Sequence, residues 1–286
     1  MSKHRARKRF GQNFLQDPGI IDRIVRSIAP KAAQHLVEIG PGQAALTIPI
    51  ADSGCKLDVI ELDRDLVPLL EQRFVDKPKI SIHQADALNF DFTELYTGEQ
   101  NLRVVGNLPY NISTPLIFHL LSQRSVIKDM HFMLQKEVVD RLAAESGSKA
   151  WGRLGIMTQY YCEVQSLFEV PPEAFTPRPK VQSSIVRLVP HKTLPHPVED
   201  EKRFAKLVQQ AFQQRRKTLR NNLKGIVNDD DFDEDFFRDI YSTAVDLRVT
   251  QWGCAKLTTA VAGWLQKKQL SEKKVSISAW LYCIAG

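Results

Sequence analysis

The chain has 286 residues, 43% hydrophobic and 25% charged, which is typical of a globular protein with one large domain or two modest ones. No run of about 18 apolar residues occurs and no apolar segment follows the basic N-terminus, which argues against a transmembrane span and a secretory signal. The four cysteines are widely spaced, which argues against a zinc site or a disulfide framework and favours the cytoplasm.

The formal net charge is +6, and part of the positive charge is concentrated in two clusters. The N-terminal cluster comprises Lys3, Arg5, Arg7, Lys8 and Arg9. The second cluster, about 210 residues later, comprises Arg215, Arg216, Lys217, Arg220 and Lys224. A single cluster is commonly a solvated face. Two separate clusters favour a nucleic-acid partner.

The first half of the chain alternates between short apolar runs and helical patterns. Residues 17–29 predict a helix, because Asp17 can cap it, Pro18 fits its first turn and apolar residues recur at helical spacing. Strand-like runs follow at 35–42, 56–63, 79–86, 101–110 and from 129. Helical segments lie between or after them at 43–54, 64–74, 113–123 (with Ser113 or Thr114 as the cap) and up to 144. This order predicts an α/β domain whose parallel strands are covered on both faces.

The second half changes in texture. Residues 153–170 and 183–190 predict further strands, joined by a proline-rich loop, and 190–201 is a linker candidate. Residues beyond the linker predict a smaller all-helical domain.

We place the domain boundaries at 1–190, 200–265 and 266–286, the last being an atypical tail. The sequence from 250 onward ends in strand-like texture and fits a terminal strand, a disordered tail or an unusual reading-frame product equally well.

Polar residues stand where the strands end, which is where ligands bind to sheets of this type. Gly40 and Gly42 follow Glu38, but the third glycine of the dinucleotide fingerprint is missing, and a plain tight turn also explains them. Glu61 ends the second strand about 20 residues later, where an acid binds ribose hydroxyls, although a surface acid is the alternative. Asp86 ends the third strand and suits either an exocyclic amino group or a helix cap.

Together these residues describe an adenosine pocket. No phosphate-binding lysine of the P-loop type accompanies them. The sequence therefore predicts a ligand with ribose and adenine but no phosphate, and S-adenosylmethionine meets that description.

The stretch GNLPY ends the fourth strand. The Asn107 side-chain oxygen and the Leu108 carbonyl can accept both hydrogens of a purine amine, and Tyr110 can stack on the base. Pro109 fixes the bend and needs no N–H partner. An ordinary turn is the alternative. A clamp of this kind predicts in-line methyl transfer, aided by positioning rather than by a strong base.

Seven ordered motifs resemble the ribosomal RNA adenine dimethyltransferases, and more narrowly the bacterial enzymes that dimethylate two adjacent adenines near the 3′ end of small-subunit rRNA. The motifs are FGQNFLQD, VEIGPGQAALT, VIELDRDL, QADAL, GNLPYNIST, FTPRPKVQSS and RRKTLRNNL, spread over about residues 5–248. The resemblance implies a Rossmann-like class I methyltransferase sheet with helices on both faces, and a smaller all-helical C-terminal domain.

The resemblance also implies specific roles. Cofactor contacts are implied at Asn13, Leu15, Gly40, Glu61, Asp86 and Asn107, with Gly42 beside them in the turn. Target-base contacts are implied at Asn107, Leu108, Tyr110 and Phe175, with Phe175 as a second stacking face. RNA contact is implied for the basic cluster from Arg215 to Lys224, and the expected partner is an assembling small ribosomal subunit bound by a monomer.

Past Val249 the sequence departs from the helical segment with which this family finishes its small domain. Three other functions stay open at this point: a resistance-type large-subunit rRNA adenine methyltransferase, a DNA adenine-N6 enzyme, and a non-catalytic RNA-binding assembly or transcription factor on the same fold.

Overall fold

The computed structural model describes residues 13–145, 148–195, 197–198, 200–214, 217 and 222. The strands in this part of the chain are β1 (Phe14–Leu15), β2 (His35–Ile39), β3 (Lys56–Glu61), β4 (Ile80–Gln84), β5 (Leu102–Asn107), β6 (Ile127–Gln135), β7 (Cys162–Val170), β8 (Phe175–Thr176) and β9 (Ser183–Pro190). The helices are α1 (Pro18–Ile28), α2 (Thr47–Ala51), α3 (Val67–Arg73), α4 (Ser113–Ser122), α5 (Lys136–Leu142), α6 (Arg153–Tyr161) and α7 (Glu201–Ala211).

Seven of these strands form one sheet in the order β4-β3-β2-β5-β6-β9-β7. The five strands from β4 to β6 are parallel, and β9 is antiparallel to both β6 and β7. The two short strands β1 and β8 pair separately, with Leu15 opposite Phe175. The α/β class expected from the sequence is confirmed, with a mixed rather than wholly parallel sheet.

Helix α1 forms as its sequence predicts. The Asp17 carboxylate accepts the Ile20 N–H at 2.9 Å, so it satisfies a backbone donor that the first turn would otherwise leave free. Ile24 and Ile28 are four residues apart, lie on one face and are buried against Leu36 and other apolar side chains of the core.

Two local predictions were wrong. Residues 153–161 form helix α6 instead of a strand, and Ile156 and Tyr160 are buried at helical spacing. Helix α4 is not capped by Ser113 or Thr114: the cap position is Ile112, and the Ser113 hydroxyl donates to the Tyr110 carbonyl at 3.2 Å.

The chain switches sides of the sheet between β2 and β5, because β3 and β4 extend the sheet one way and β5 and β6 the other. The two strands approach closely there. A Cβ atom on Gly106 would lie 2.5 Å from the Ile39 carbonyl oxygen, so only glycine fits at this position of β5. Ligands bind at such a switch point, outside the carboxyl ends of the strands.

Two compact units divide the chain: the residues up to 143 with 161–192, and residues 144–160 with those from 193 onward. The described part of the second unit is built around aromatic side chains. The rings of Tyr160 and Phe204 lie 4.7 Å apart, and the Tyr160 hydroxyl accepts the Val198 N–H at 3.3 Å. Among the described residues no helix is long and apolar enough to cross a membrane.

Candidate active site

A cavity of about 360 Å³ opens at the carboxyl ends of β2, β3 and β5, within the size range of small-molecule sites. It lies in the first unit. Nine of the ten residues predicted to contact cofactor or base line it: Asn13, Leu15, Gly40, Gly42, Glu61, Asp86, Asn107, Leu108 and Tyr110. Residues that are far apart in sequence are thus brought to one place by the strand order.

The turn after β2 is shaped by glycine. Gly40 and Gly42 have φ values of +66° and +55°, where side chains are strained. The Gly40 N–H donates to the Ile60 carbonyl at 2.9 Å, which fixes the turn against β3. A Cβ atom on Gly42 would come within 3.1 Å of the Phe14 ring, so the cavity wall is closely packed at this point.

Glu61 ends β3 with its carboxylate oriented by two backbone donors. The Asp63 N–H donates to one oxygen at 2.8 Å and the Gly42 N–H approaches the other at 3.4 Å. Burial raises the pKa of Glu61, while these two N–H groups oppose the shift. The glycine turn and the acid expected to bind ribose are therefore linked directly.

Glu38 is a site residue that the sequence placed in the motif without assigning it a role. Its side chain is 2% exposed and lines the cavity, and its Oε2 atom has no hydrogen-bond partner in the part of the chain that is described. Burial raises the pKa of Glu38 to about 7; the Thr47 hydroxyl opposes this and the nearby Glu61 carboxylate adds to it. The only sequence signal for a role of Glu38 was the presence of an acid between apolar residues of a buried strand.

Asp86 serves a local turn and also faces the cavity. Its two oxygens accept from the Leu88 N–H at 3.0 Å and from the Asn89 side-chain amide at 3.1 Å. Each carboxylate oxygen has a further lone pair, so the local role and the predicted contact with an exocyclic amine are compatible.

Asn107 ends β5 with its amide group oriented. Its Nδ2 atom donates to the Asn13 backbone carbonyl at 3.0 Å, which directs the acceptor Oδ1 elsewhere. Among the described residues no hydrogen bond reaches that Oδ1. Leu108 is buried, and its N–H donates to the Met133 carbonyl at 3.2 Å, which fixes the backbone of the bend to β6.

Tyr110 is half-buried on the cavity wall. Its hydroxyl and the Ser183 hydroxyl share a hydrogen bond of 2.8 Å. Burial raises the pKa of Tyr110, and the bond to Ser183 opposes that shift. Phe175 does not line the cavity: it is 4% exposed and belongs to the apolar cluster that contains Leu15. Its role as a second stacking face remains a prediction and requires the side chain to leave that cluster.

Most of the predicted RNA-binding cluster lies outside the described residues: Arg215, Arg216, Arg220 and Lys224. Lys217 is described and exposed. The N-terminal basic cluster and everything from 223 onward, including the atypical tail, also lie outside.

The residues present fit a cationic adenosine ligand. Glu38, Glu61 and Asp86 give the cavity acidic groups, which favour a positively charged ligand. The unpartnered oxygen of Glu38 would accept a hydrogen bond from an ammonium group of such a ligand. Apolar side chains such as Leu62 and Ile112 line the remaining wall, as suits a purine ring.

Comparison with known proteins agrees with this assignment. A family model described as "Ribosomal RNA adenine dimethylase" matches residues 3–252. "Ribosomal RNA small subunit methyltransferase A" of Marinomonas sp. (strain MWYL1) is 62% identical over 229 residues, covering 80% of this chain and 86% of that protein. The protein of the same name from Chromohalobacter salexigens is 64% identical over 230 residues, covering 79% of this chain and 82% of that one.

Two solved structures share the fold. A dimethyladenosine transferase from Plasmodium falciparum superposes with a TM-score of 0.74 at 24% identity, covering 90% of this chain and 98% of that one. The 23S rRNA methyltransferase ErmE superposes with a TM-score of 0.68 at 22% identity, covering 89% of this chain and all of that one. At such identities the likeness establishes the fold, which is that of the class I methyltransferases.

Proposed function

The chain belongs to the ribosomal RNA adenine dimethylase family, and from that premise we propose that it dimethylates N6 of two adjacent adenines near the 3′ end of small-subunit rRNA. As a member of that family it is an enzyme that methylates adenine in ribosomal RNA, with S-adenosylmethionine as its cofactor. The small-subunit target rests on relatives that carry small-subunit names at 60–64% identity. We further propose that it acts as a monomer on assembling subunits in the cytoplasm.

The observation that carries the proposal is the orientation of the Asn107 amide. Because its Nδ2 atom is committed to the Asn13 carbonyl, its Oδ1 atom is the acceptor offered to a ligand. An acceptor at this point suits an exocyclic amine, which presents two N–H donors. The Leu108 carbonyl would take the second hydrogen, in a bend held by β6.

Bound S-adenosylmethionine would supply an electrophilic methyl group: an N–C bond would form as the S–C bond breaks, S-adenosylhomocysteine would leave, and the N6 proton would pass to solvent water. The protein's part is positional. Two acceptors at the amine hydrogens favour a pyramidal nitrogen, whose lone pair is then free to attack. Asn107 has no basic group at neutral pH, so it orients the amine and does not accept its proton.

Tyr110 and the carboxylates complete the proposed machinery. Tyr110 would stack on the target base, a contact worth about 1–3 kcal/mol for an unstacked base. Glu61, oriented by Asp63 and Gly42, would hold the ribose of the cofactor, and Asp86 its adenine amine. The pocket must also accept a monomethylated amine, since two transfers to one nitrogen are proposed.

The experiment uses the full-length protein, labelled S-adenosylmethionine and three substrates: small-subunit particles lacking the modification, naked large-subunit rRNA, and duplex DNA. We expect label in the small-subunit particles, and mass spectrometry should place two methyl groups on each of two neighbouring adenines. Label confined to large-subunit RNA or to DNA would assign the activity to one of the other adenine-N6 enzymes. No label in any arm would overturn the proposal.

A further inference from the structure

We infer that Ser183, a member of the motif FTPRPKVQSS with no role of its own so far, is a positioning residue that fixes the ring of Tyr110 for stacking on the target base. The inference rests on the proposed function of Tyr110. The two hydroxyls share a hydrogen bond of 2.8 Å, although the residues are 73 positions apart in sequence.

Ser183 is well placed to be an immobile partner. It is the first residue of β9, is 0% exposed, and is paired on both sides, with Gln135 of β6 and Val170 of β7. A hydroxyl on a strand held from two sides moves little, so its partner is held at a defined point.

Among the described residues, the other hydrogen bonds of this segment involve the backbone of Tyr110 and its neighbours. Its carbonyl accepts from the Ser113 hydroxyl at 3.2 Å, and the bend before it is closed by the Ile112 N–H donating to the Pro109 carbonyl at 3.1 Å. None of these bonds involves the ring, so they do not set the side-chain torsions of Tyr110. The bond at the far end of the ring fixes them before a base arrives, so their ordering does not oppose binding.

Ser183 also joins the two segments that carry the predicted base contacts. It closes the loop that begins at β8, which carries Phe175, and it contacts Tyr110 from the bend after β5. The hydroxyl of Tyr110 is protonated at neutral pH, and burial raises its pKa further, so both hydroxyls of this bond carry a hydrogen.

The test is a double-mutant cycle with Ser183→Ala and Tyr110→Phe, each of which removes one side of the same hydrogen bond and keeps the ring. Each single variant should lower kcat/KM for small-subunit particles by about 3- to 10-fold, the range expected for one neutral hydrogen bond. The double variant should be no worse than either single one, because the bond is lost once. Affinity for S-adenosylmethionine should stay within about twofold.

The matched control is Ser184→Ala, which removes a buried hydroxyl that bonds the Phe168 carbonyl instead, one position along β9. Ser184→Ala should shift Tm as much as Ser183→Ala does, but it should leave kcat/KM unchanged. Losses that add in the double variant, or equal losses in Ser184→Ala, would overturn the assignment to Ser183. Tyr110→Ala separates the two hypotheses: if it is fully active, the stacking role itself fails, whereas a loss there with a fully active Ser183→Ala refutes only the positioning role.

Discussion

The buried polar side chains at the two ends of the parallel strands differ in how fully they are paired. Near the amino ends, buried charges are paired: the Arg103 guanidinium donates to both oxygens of Asp129, at 2.8 and 3.1 Å, and also to the Ile28 carbonyl. At the carboxyl ends, Glu38 keeps an unpartnered oxygen and Asn107 an unused acceptor among the described residues.

The pKa shifts follow the same division. Burial would raise the pKa of Asp58, but His35 and His83, at 2.5 and 2.6 Å, outweigh it and lower the pKa. Burial would likewise raise the pKa of Asp129, and Arg103 lowers it. At the other end the pKa of Glu38 rises to about 7. The acids Asp58 and Asp129 are thus paired within the fold, whereas Glu38 is buried with an unpartnered oxygen, an unfavourable arrangement that a bound ligand would relieve.

The largest effect on stability is expected at the amino ends of the strands, where the buried charges are paired. Replacing Asp129→Asn leaves the guanidinium of Arg103 buried without a counter-charge, and breaking a buried pair from one side costs about 3–5 kcal/mol. Urea unfolding should show this loss. Protein that remains folded should bind S-adenosylmethionine as the parent does, because Asp129 does not line the cavity.

The control is Asp140→Asn, which breaks the exposed ion pair with Lys136 one turn away on α5. It should leave the urea midpoint near that of the parent, since exposed pairs contribute little. A midpoint for Asp129→Asn as high as that of this control would remove the distinction between the two ends.

Much of the fold follows from local patterns. The apolar runs of β2 to β6 and the cap at Asp17 were recognisable because each depends on neighbouring residues alone. Residues 153–161 were assigned the wrong type because a helix directly adjoining a strand leaves no turn signal between them. At Ser113 the backbone, not the favoured residue type, decided the cap.

The site was predictable as a set of strand ends but not as a set of contacts. The glycines and acids could be identified from their residue types and their positions at the strand ends. The bonds that orient the clamp join residues 94 apart, Asn107 and Asn13, and 73 apart, Tyr110 and Ser183, and no local pattern encodes such pairings. The burial of Phe175 is similarly a matter of tertiary packing, for which an aromatic residue gives no sign of its own.

The next largest effect is expected at the carboxyl ends of the strands, where the cavity lies, and it concerns activity rather than stability. Asn107→Ala removes the oriented acceptor, and we expect kcat to fall by about 10²–10³-fold, the range for losing one preorganised polar group. Methyl incorporation into small-subunit particles measures it. Asn101→Ala is the matched control, because its amide also donates to a backbone carbonyl, that of Ser125 at 3.1 Å, from just before the same strand. Equal losses in both variants would contradict a specific role for Asn107.

The smallest expected effect concerns the pH dependence of stability in cofactor-free protein. Glu38 has a folded pKa of about 7 against an ordinary value of 4.5, so the folded state binds more protons between these values. The stability from this group is therefore complete below about pH 4.5 and is lost as pH rises through about 7, by about 3 kcal/mol in all. Burial of His131, whose folded pKa is about 4, acts in the opposite direction and costs stability as pH falls from about 6.5.

Because the two groups oppose each other, the parent's own pH profile conceals both, and the difference between parent and Glu38→Gln isolates one. Relative to the parent, the variant should gain stability as pH rises from about 4.5 to above 7, as measured by urea unfolding across that range. Glu163→Gln makes the same chemical change at an exposed position of β7 and is the matched control. A flat difference for Glu38→Gln would mean that Glu38 is as well satisfied as the paired acids, and the contrast between the two ends of the sheet would not extend to its carboxylates.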